Sequence, residues 1–486
     1  MRRLSFYNFA VPIPEARRYL FYNSLFNSLI EIGWDQGEYL AGLMSSKDVP
    51  EDKFDAMDPS MREMLSHNGF ISELEDEKRI VYDRDARQRK SIYSNGVFLL
   101  TICTTNLCNM DCSYCFEGAK TKRLHQDKYL GAKTMDQILV FLNREIEFPI
   151  PKKVTRLHTV WYGGEPLLRL QTIKRFSADL LDFSRKHNIE YRSRIITNGS
   201  LLNDRVWKIL RDVRVLDLQV SIDGDRNSHN KNRPLRARNR SSYDLILENL
   251  SRMSEGFRLD IRITTDSKTL DNIENLFGDL KAHGIWPQRA RNVRLILGRK
   301  RYYSAYSRED PSIYLAPPEF VRLKEKWRYL LFEHYNEWAT ENSKPRAKLS
   351  FLYPEPSSYL CGTASYPYGF ALDDAGFIHR CWNDVNNEST RIQHISESYD
   401  LSNPEHQKWI NFSRLSIKEC NTCKYLPICE RVCTQAYLEG NYECSEWKYT
   451  LEDRFKTQYL MLLNNPELIE VPKWFERTSQ KSSVTT

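Results

Sequence analysis

From Gly96 onward, apolar residues come in short runs, separated by stretches whose apolar positions recur every three or four residues. The runs predict strands over Val97–Cys103, Leu157–Tyr162, Arg194–Thr197, Leu216–Ile222, Leu259–Thr265 and Val293–Leu297. The stretches between them predict helices over Thr134–Ile146, Thr172–Lys186, Asp204–Asp212, Tyr243–Ser254 and Asn272–Ala282. Strands that alternate with helices run parallel, because each helix carries the chain back to the same edge of the sheet. An open barrel and a doubly wound sheet both answer to this pattern, and both gather reactive residues where strands end.

The flanks read differently. Residues 1 to about 95 predict a small α+β unit. In it, Arg18–Ile32 supplies two strands meeting near Asn23 and Ser24, followed by helices at Gly37–Met44 and Glu51–Ser66 and a strand at Gly69–Glu73. A sheet with an exposed edge can bind an extended peptide as an added strand; a structural cap on the next domain is the other reading. Beyond the strand–helix region of 96–315, apolar residues at 320, 323, 327, 330, 331, 335 and 338 form a helical stripe, predicting a bridging helix within 316–350. A cysteine-rich domain over 351–450 and a C-terminal helix and tail over 451–486 complete the expected partition.

Composition narrows the function classes. The chain has 486 residues, 41% of them hydrophobic, which is long for one domain and rich enough for a large core. No apolar run is long enough to span a bilayer, and Phe6–Pro14 is too short and too broken by proline for a signal peptide. The expectation is a cytoplasmic protein without a membrane partner. The formal charge of +7 concentrates in Lys231–Arg240 and Arg289–Arg301, with none of the aromatic interleaving that marks a nucleic-acid surface. The eleven cysteines fall in two groups, 103–115 and 361–444. In a reducing compartment such clustering points to metal ligation or catalysis rather than to disulfides.

The first group holds Cys108-x3-Cys112-x2-Cys115, with Tyr114 before the last thiol, in the loop after the first strand of the alternating region. Three thiolates this close can hold three corners of an iron–sulfur cluster and leave one iron open for chemistry. A partial zinc site and buried free thiols are the bland alternatives. Polar or glycine-rich motifs stand at the next three strand ends: Gly163-Gly164-Glu165, Asn198-Gly199, and Ser221-Ile-Asp223-Gly224 with Arg233 beyond. Each alone could be a turn. In register at successive strand ends, they read as a site. The second group runs Cys361, Cys381, Cys420-x2-Cys423-x5-Cys429-x3-Cys433, Cys444, and its middle alone could be a zinc ribbon.

On these residues the chain resembles the radical S-adenosylmethionine (SAM) enzymes, over roughly residues 96–300. The resemblance implies a partial (β/α)6 TIM-like barrel between the small N-terminal domain and a C-terminal iron–sulfur domain. It implies that Cys108, Cys112 and Cys115 hold a [4Fe–4S] cluster whose open iron binds SAM. Gly163, Gly164 and Glu165 would then sit at the cofactor's amine, Ser221 and Asp223 near its ribose, Arg233 near its carboxylate and Tyr114 beside its adenine, with Asn198 as a further contact. The seven later cysteines resemble the SPASM extension of peptide-modifying radical enzymes. That implies two auxiliary [4Fe–4S] clusters, three clusters in all: Cys420, Cys423, Cys429 and Cys444 on one, Cys361, Cys381 and Cys433 on the other. Cys103 is left over and reads as a buried strand thiol.

The activity so implied begins with a 5′-deoxyadenosyl radical, fed by an electron donor such as flavodoxin or ferredoxin, and ends in net oxidation of a peptide. Two sequence departures bear on the substrate. Sulfatase-maturing relatives carry an aspartate directly after the second cysteine of the extension; here that residue is Trp382. They also lack an N-terminal region like residues 1–95, which resembles the leader-recognition domains of peptide maturases. The reading is therefore a maturase that crosslinks side chains of a precursor peptide through C–C, C–O or C–S bonds. Asp373, Asp374 and Asp384 are its candidate bases because they lie beside the auxiliary cysteines. Formylglycine formation, peptide epimerisation and a zinc-stabilised peptide-binding adaptor are the alternatives.

Overall fold

The computed structural model describes residues 3–44, 53, 56–72, 77–93, 96–115, 129–147, 153–237, 240–301, 311–356, 361, 363–385, 387–429, 432–440 and 442–471. The chain divides into two compact units, Met1–Lys90 with Pro317–Leu360 and Ser413–Thr486, and Ser91–Ala316 with Cys361–Phe412.

The N-terminal strands β1 (Asn8–Ile13), β2 (Arg18–Asn23) and β3 (Ser28–Gly33) form an antiparallel sheet with β2 central. The sequence pattern predicts only two strands here. β1 escapes it because Pro12 breaks the run, yet an edge strand tolerates a residue with no N–H to give. Helices α1 (Trp34–Met44), α2 (Pro59–His67) and α3 (Lys78–Tyr93) follow. The Asp58 carboxylate caps α2 by accepting from the Ser60 and Met61 N–H groups. The expected helix start at Glu51 and the strand end at Glu73 lie outside the described residues. Both faces of the sheet are covered. Tyr19, Phe21, Ile30 and Ile32 pack with Leu40, Leu65 and Phe70. On the other face, Phe9, Val11, Leu20, Tyr22 and Leu29 pack with Phe351, Trp447, Leu451 and Phe455.

The alternation beginning at Gly96 forms six parallel strands in sequence order: β4 (Val97–Cys103), β5 (Arg156–Tyr162), β6 (Glu190–Thr197), β7 (Val215–Ile222), β8 (Arg258–Thr265) and β9 (Val293–Arg299). The crossovers contain α4 (Ala132–Glu147), α5 (Leu170–Lys186), α6 (Asp204–Asp212), α7 (Arg226–Asn232), α8 (Ser242–Ser251) and α9 (Ile273–Ala282). Every crossover steps one strand in the same direction, which places the helices on one face and leaves the other as a lumen. Phe98, Leu100 and Ile102 are fully buried on the helix side, where α5 adds Ile173, Phe176, Leu180 and Phe183 at helical spacing. This is the expected partial barrel.

Polar lumen residues explain where sequence and structure part. β6 starts at Glu190, earlier than the expected Arg194, because Glu190 and Arg192 are an ion pair at 2.6 Å rather than a loop. Two residues further in, Arg194 reaches Asp260 at 2.8 Å and Gln219 at 3.1 Å, and Arg294 pairs with Asp260 at 2.8 Å. The short helix α7 carries almost no apolar residue and has no periodicity to detect.

Residues assigned by sequence to the cysteine-rich domain extend this same sheet. β10 (Gly369–Leu372) pairs in parallel with β4, and β11 (Phe377–His379) and β12 (Gln393–His394) follow antiparallel, making nine strands. The bridging helix is α10 (Pro317–Glu341), and it packs on α11 (Trp447–Asn464) through Glu325–Arg454 and Lys324–Glu446 ion pairs. Among the described residues, no helix is long and apolar enough to cross a membrane.

Candidate active site

The loop that leaves β4 is held by its neighbours' backbones. Thr104 N–H donates to the Tyr162 carbonyl at 2.9 Å, Gly164 N–H to Thr105 at 2.9 Å and Glu165 N–H to Leu107 at 2.7 Å. The paired glycines make this approach possible. A Cβ on Gly164 would lie 2.4 Å from the Leu107 carbonyl oxygen, and one on Gly163, whose φ is +132°, 2.3 Å from that of Thr105. Their place is thus against the cysteine loop itself.

Glu165 locks the next strand end to the same loop. Its fully buried carboxylate accepts from Leu167 N–H at 3.0 Å, the Thr197 hydroxyl at 2.7 Å and Asn198 N–H at 2.7 Å. Burial pushes its pKa up, against the pull of those donors. Asn198 then donates to Asn109 at 2.8 Å and reaches the Cys108 sulfur at 3.8 Å, while Asn109 donates to the Ser200 hydroxyl at 2.9 Å. Asn109 and Ser200 were not singled out from sequence; both belong to short polar turns that carry no signal of their own.

The far side of the loop is backed by the segment after α7, where Asp111 N–H meets the Pro234 carbonyl at 2.9 Å and Ser113 N–H that of Asn232 at 3.1 Å. Here the Tyr114 hydroxyl donates to Asp223 at 2.6 Å and accepts from Arg233 at 2.9 Å. The backbone N–H of Asp223 donates to Nδ1 of buried His229 at 3.2 Å, and burial holds His229 neutral. The Lys300 ammonium lies 4.8 Å from the centre of the Tyr114 ring and 3.1 Å from Asp266. Burial raises the Asp223 carboxyl above its ordinary range, against the Arg233 charge and the Tyr114 hydroxyl. Asp223 Oδ1 and Arg233 Nε are buried without a hydrogen-bond partner among the described residues. Two such atoms beside three thiols fit a ligand carrying both donors and acceptors. Ser221, on the lumen face of β7, sits one turn of the pleat before Asp223.

The thiols of Cys108, Cys112 and Cys115 are close enough to act on one another. Burial pushes Cys108 up to about 11, and Glu165 and Cys115 push the same way; burial likewise raises Cys112, where Arg233 opposes it. Bound iron would reverse this, since only thiolates ligate. Cys103 is the fully buried strand thiol expected, 3.4 Å from the Asn106 side chain.

In the other unit, Cys420, Cys423, Cys429 and Cys444 form a second mutually interacting set: burial raises Cys420 to about 11, and the other three thiols add to it. Arg414 donates to the Cys429 carbonyl, and the Lys448 ammonium stands 3.6 Å from the Cys444 sulfur. Cys361 and Cys381 belong to the barrel unit and Cys433 to the other. No three His, Cys, Asp or Glu side chains among the described residues converge as ligands of a single ion would.

Of the candidate bases, Asp373 is taken up by its hairpin. Its carboxylate accepts from Ala375 N–H at 3.0 Å, Phe377 N–H at 2.9 Å and Arg391 at 2.7 Å, with His379 at 3.5 Å. Burial raises its carboxyl, but His379, Phe377 N–H and Arg391 outweigh that and hold it below the ordinary range. Asp374 is half-buried in the same turn, and Asp384 is buried in the short helix Trp382–Asp384. Trp382 stacks on Tyr162 with ring centres 6.1 Å apart and 19° between planes, while remaining 40% exposed. It therefore stands at the strand end that leads into Gly163.

Residues 102–280 match the Radical SAM superfamily. The chain is 25% identical over 184 residues to Fe-coproporphyrin III synthase of Methanosarcina barkeri, covering 37% of this chain and 40% of that one. It is 27% identical over 137 residues to the radical SAM cyclopropyl synthase TigE of Paramaledivibacter caminithermalis, covering 27% and 28%. These matches span well under half of either relative. Among solved structures, native anSMEcpe with bound AdoMet superposes with a TM-score of 0.54 at 17% identity, covering 76% of this chain and 98% of that one. With the cysteine loop, the strand-end motifs and the six-stranded partial barrel, this match gives residues 102–280 the radical SAM fold, a partial α/β barrel.

Proposed function

We propose that the protein is a radical SAM maturase that oxidatively crosslinks side chains of a ribosomally made precursor peptide. The observation that carries the radical part is the incomplete polar site at the end of β7: buried Asp223 Oδ1 and Arg233 Nε, both unsatisfied, beside three thiols. Cys108, Cys112 and Cys115 would hold a [4Fe–4S] cluster, and Asp223, Arg233 and Tyr114 would orient SAM against it. The bound pair supplies a hydrogen-abstracting radical on reductive cleavage, the electron coming from a donor such as flavodoxin or ferredoxin. The chain's own task is position and exclusion of water. Glu165 and Asn198 keep the cysteine loop in register with the strand ends.

The peptide part rests on three further features. The four-thiol set of Cys420, Cys423, Cys429 and Cys444 supports an auxiliary cluster that would accept the electron left on the substrate, with a second auxiliary cluster on Cys361, Cys381 and Cys433. The sheet of β1–β3 offers a strand edge for the leader of the peptide. A structural neighbour also binds a peptide: one anSMEcpe structure, 16% identical with a TM-score of 0.54, holds a Kp18Cys peptide. The exposed Trp382 indole, where a sulfatase-maturing enzyme would need a carboxylate, supports crosslinking over formylglycine formation, and Asp384, in the same short helix, is its candidate base. The test is anaerobic co-expression with a small peptide encoded beside this gene. Loss of two hydrogens per modification is the expected result. An unchanged mass overturns the crosslinking reading, and a one-unit gain in deuterated solvent replaces it with epimerisation.

A further inference from the structure

The lumen contains two kinds of arginine. Arg194 and Arg294, at the end where the strands begin, are both paired with Asp260. Arg262, two residues further along β8, is not. Its neighbours Ile261 and Ile263 are fully buried towards the helices, so Arg262 faces the lumen, in register with Ser221 of β7 and Ile296 of β9. Among the described residues it has no hydrogen-bond or ion-pair partner. The fold nevertheless makes room for it: a Cβ on Gly298 would lie 2.1 Å from its Nε and 2.6 Å from its Cζ. Burial pulls its pKa down, against Tyr114, Tyr162 and Asp223, which place it towards the strand-end mouth. A half-buried guanidinium that opens on the lumen, with no anion among the described residues, can take one that arrives later.

Which anion follows from the surroundings. Arg233 is the guanidinium that acts on Cys112, on the thiol side of the mouth. Arg262 feels Tyr114 first and Tyr162 next, so it lies between that thiol-side cluster and the Tyr162 ring, which carries the exposed Trp382 indole. We infer that Arg262 binds a carboxylate of the peptide substrate, an Asp or Glu side chain near the reacting residue, with the Trp382–Tyr162 pair as the aromatic wall of that subsite. This deepens the maturase reading and rests on it.

The experiment uses the full chain with clusters reconstituted, the co-expressed peptide, and the variants Arg262→Gln and Arg262→Lys. Arg262→Gln should lose about ten- to hundredfold in kcat/KM for peptide modification, the range of a charged hydrogen bond. SAM affinity and 5′-deoxyadenosine formation without peptide should stay unchanged, and Arg262→Lys should recover part of the loss. Changing the recognised acid in the peptide to its amide should cost wild type a similar factor and Arg262→Gln nothing more. The Gln variant should also melt at or above the wild-type temperature, because the arginine has no structural partner to lose. A fall in Tm, an unchanged kcat/KM, or a loss of SAM affinity matching that caused by decarboxylated SAM would each overturn the assignment, the last by giving the guanidinium to the cofactor. Wild-type protein that forms no 5′-deoxyadenosine at all would instead sink the radical reading itself.

Discussion

The two thiol sets differ in what surrounds them. The loop of Cys108, Cys112 and Cys115 sits beside a buried carboxylate and guanidinium, each with one atom, Asp223 Oδ1 and Arg233 Nε, that has no hydrogen-bond partner among the described residues. The set of Cys420, Cys423, Cys429 and Cys444 has four thiols and is flanked by the cations Arg414 and Lys448. Three thiols with unfilled polar groups make a centre that waits for a small molecule. Four thiols with fixed positive charge nearby suit a closed centre that stores an electron. On the proposed reading, one generates a radical and the other receives what the radical leaves behind.

The sharpest way to break the comparison is to remove the first set. Replacing Cys108, Cys112 and Cys115 together by alanine should abolish 5′-deoxyadenosine formation while iron bound at the later cysteines remains. Persistent 5′-deoxyadenosine would show that the sets have been assigned the wrong way round. Removing Cys420 and Cys429 should do the reverse: SAM cleavage survives, uncoupled, while peptide oxidation falls by about 10²-fold or more, the scale of losing a metal-site ligand or its support. If oxidation continues at full rate, the four-thiol set is architecture.

A smaller effect tests how the loop is held. Gly164→Ala pushes a methyl into the Leu107 carbonyl and should cost about 1–3 kcal/mol of stability, with reduced iron at the first set only. Equal iron loss at both sets in quantitative spectroscopy would contradict a local role. The smallest effect concerns Asp373. Its folded pKa is depressed, so its stabilising contribution is present above the unfolded carboxyl range and disappears as pH falls through the folded value. Asp373→Asn should lower Tm at neutral pH and flatten the acid side of the stability profile, leaving SAM cleavage intact; an unchanged profile would free Asp373 for a catalytic role.

Much of the barrel was legible because its strands are apolar and its helices periodic. The cysteine loop and three strand-end motifs were legible because glycine, asparagine and aspartate cannot hide among apolar runs. What stayed hidden were contacts made by polar residues inside strands. Arg262 breaks the run Leu259–Thr265, a visible signal, yet only the pairing register and the space over Gly298 show that it points inward, with no partner among the described residues. β10 was invisible for another reason: it joins β4 from far along the chain, and no local pattern announces such a partner. The double-sided core of β1–β3 was missed because half of it comes from Phe351 and α11.

That last feature sets the order in which the protein can mature during synthesis. The sheet of β1–β3 leaves the ribosome long before the residues that cover Phe9, Val11 and Leu29. Until Trp447, Leu451 and Phe455 emerge, one face of the sheet has only water or a chaperone to meet. The nascent chain must therefore carry a sticky, apolar surface until those residues are made. An isolated fragment of residues 1–95 would inherit the same defect and aggregate. A fragment joining residues 1–90 to 317–360 and 413–486 through short linkers would keep that core closed.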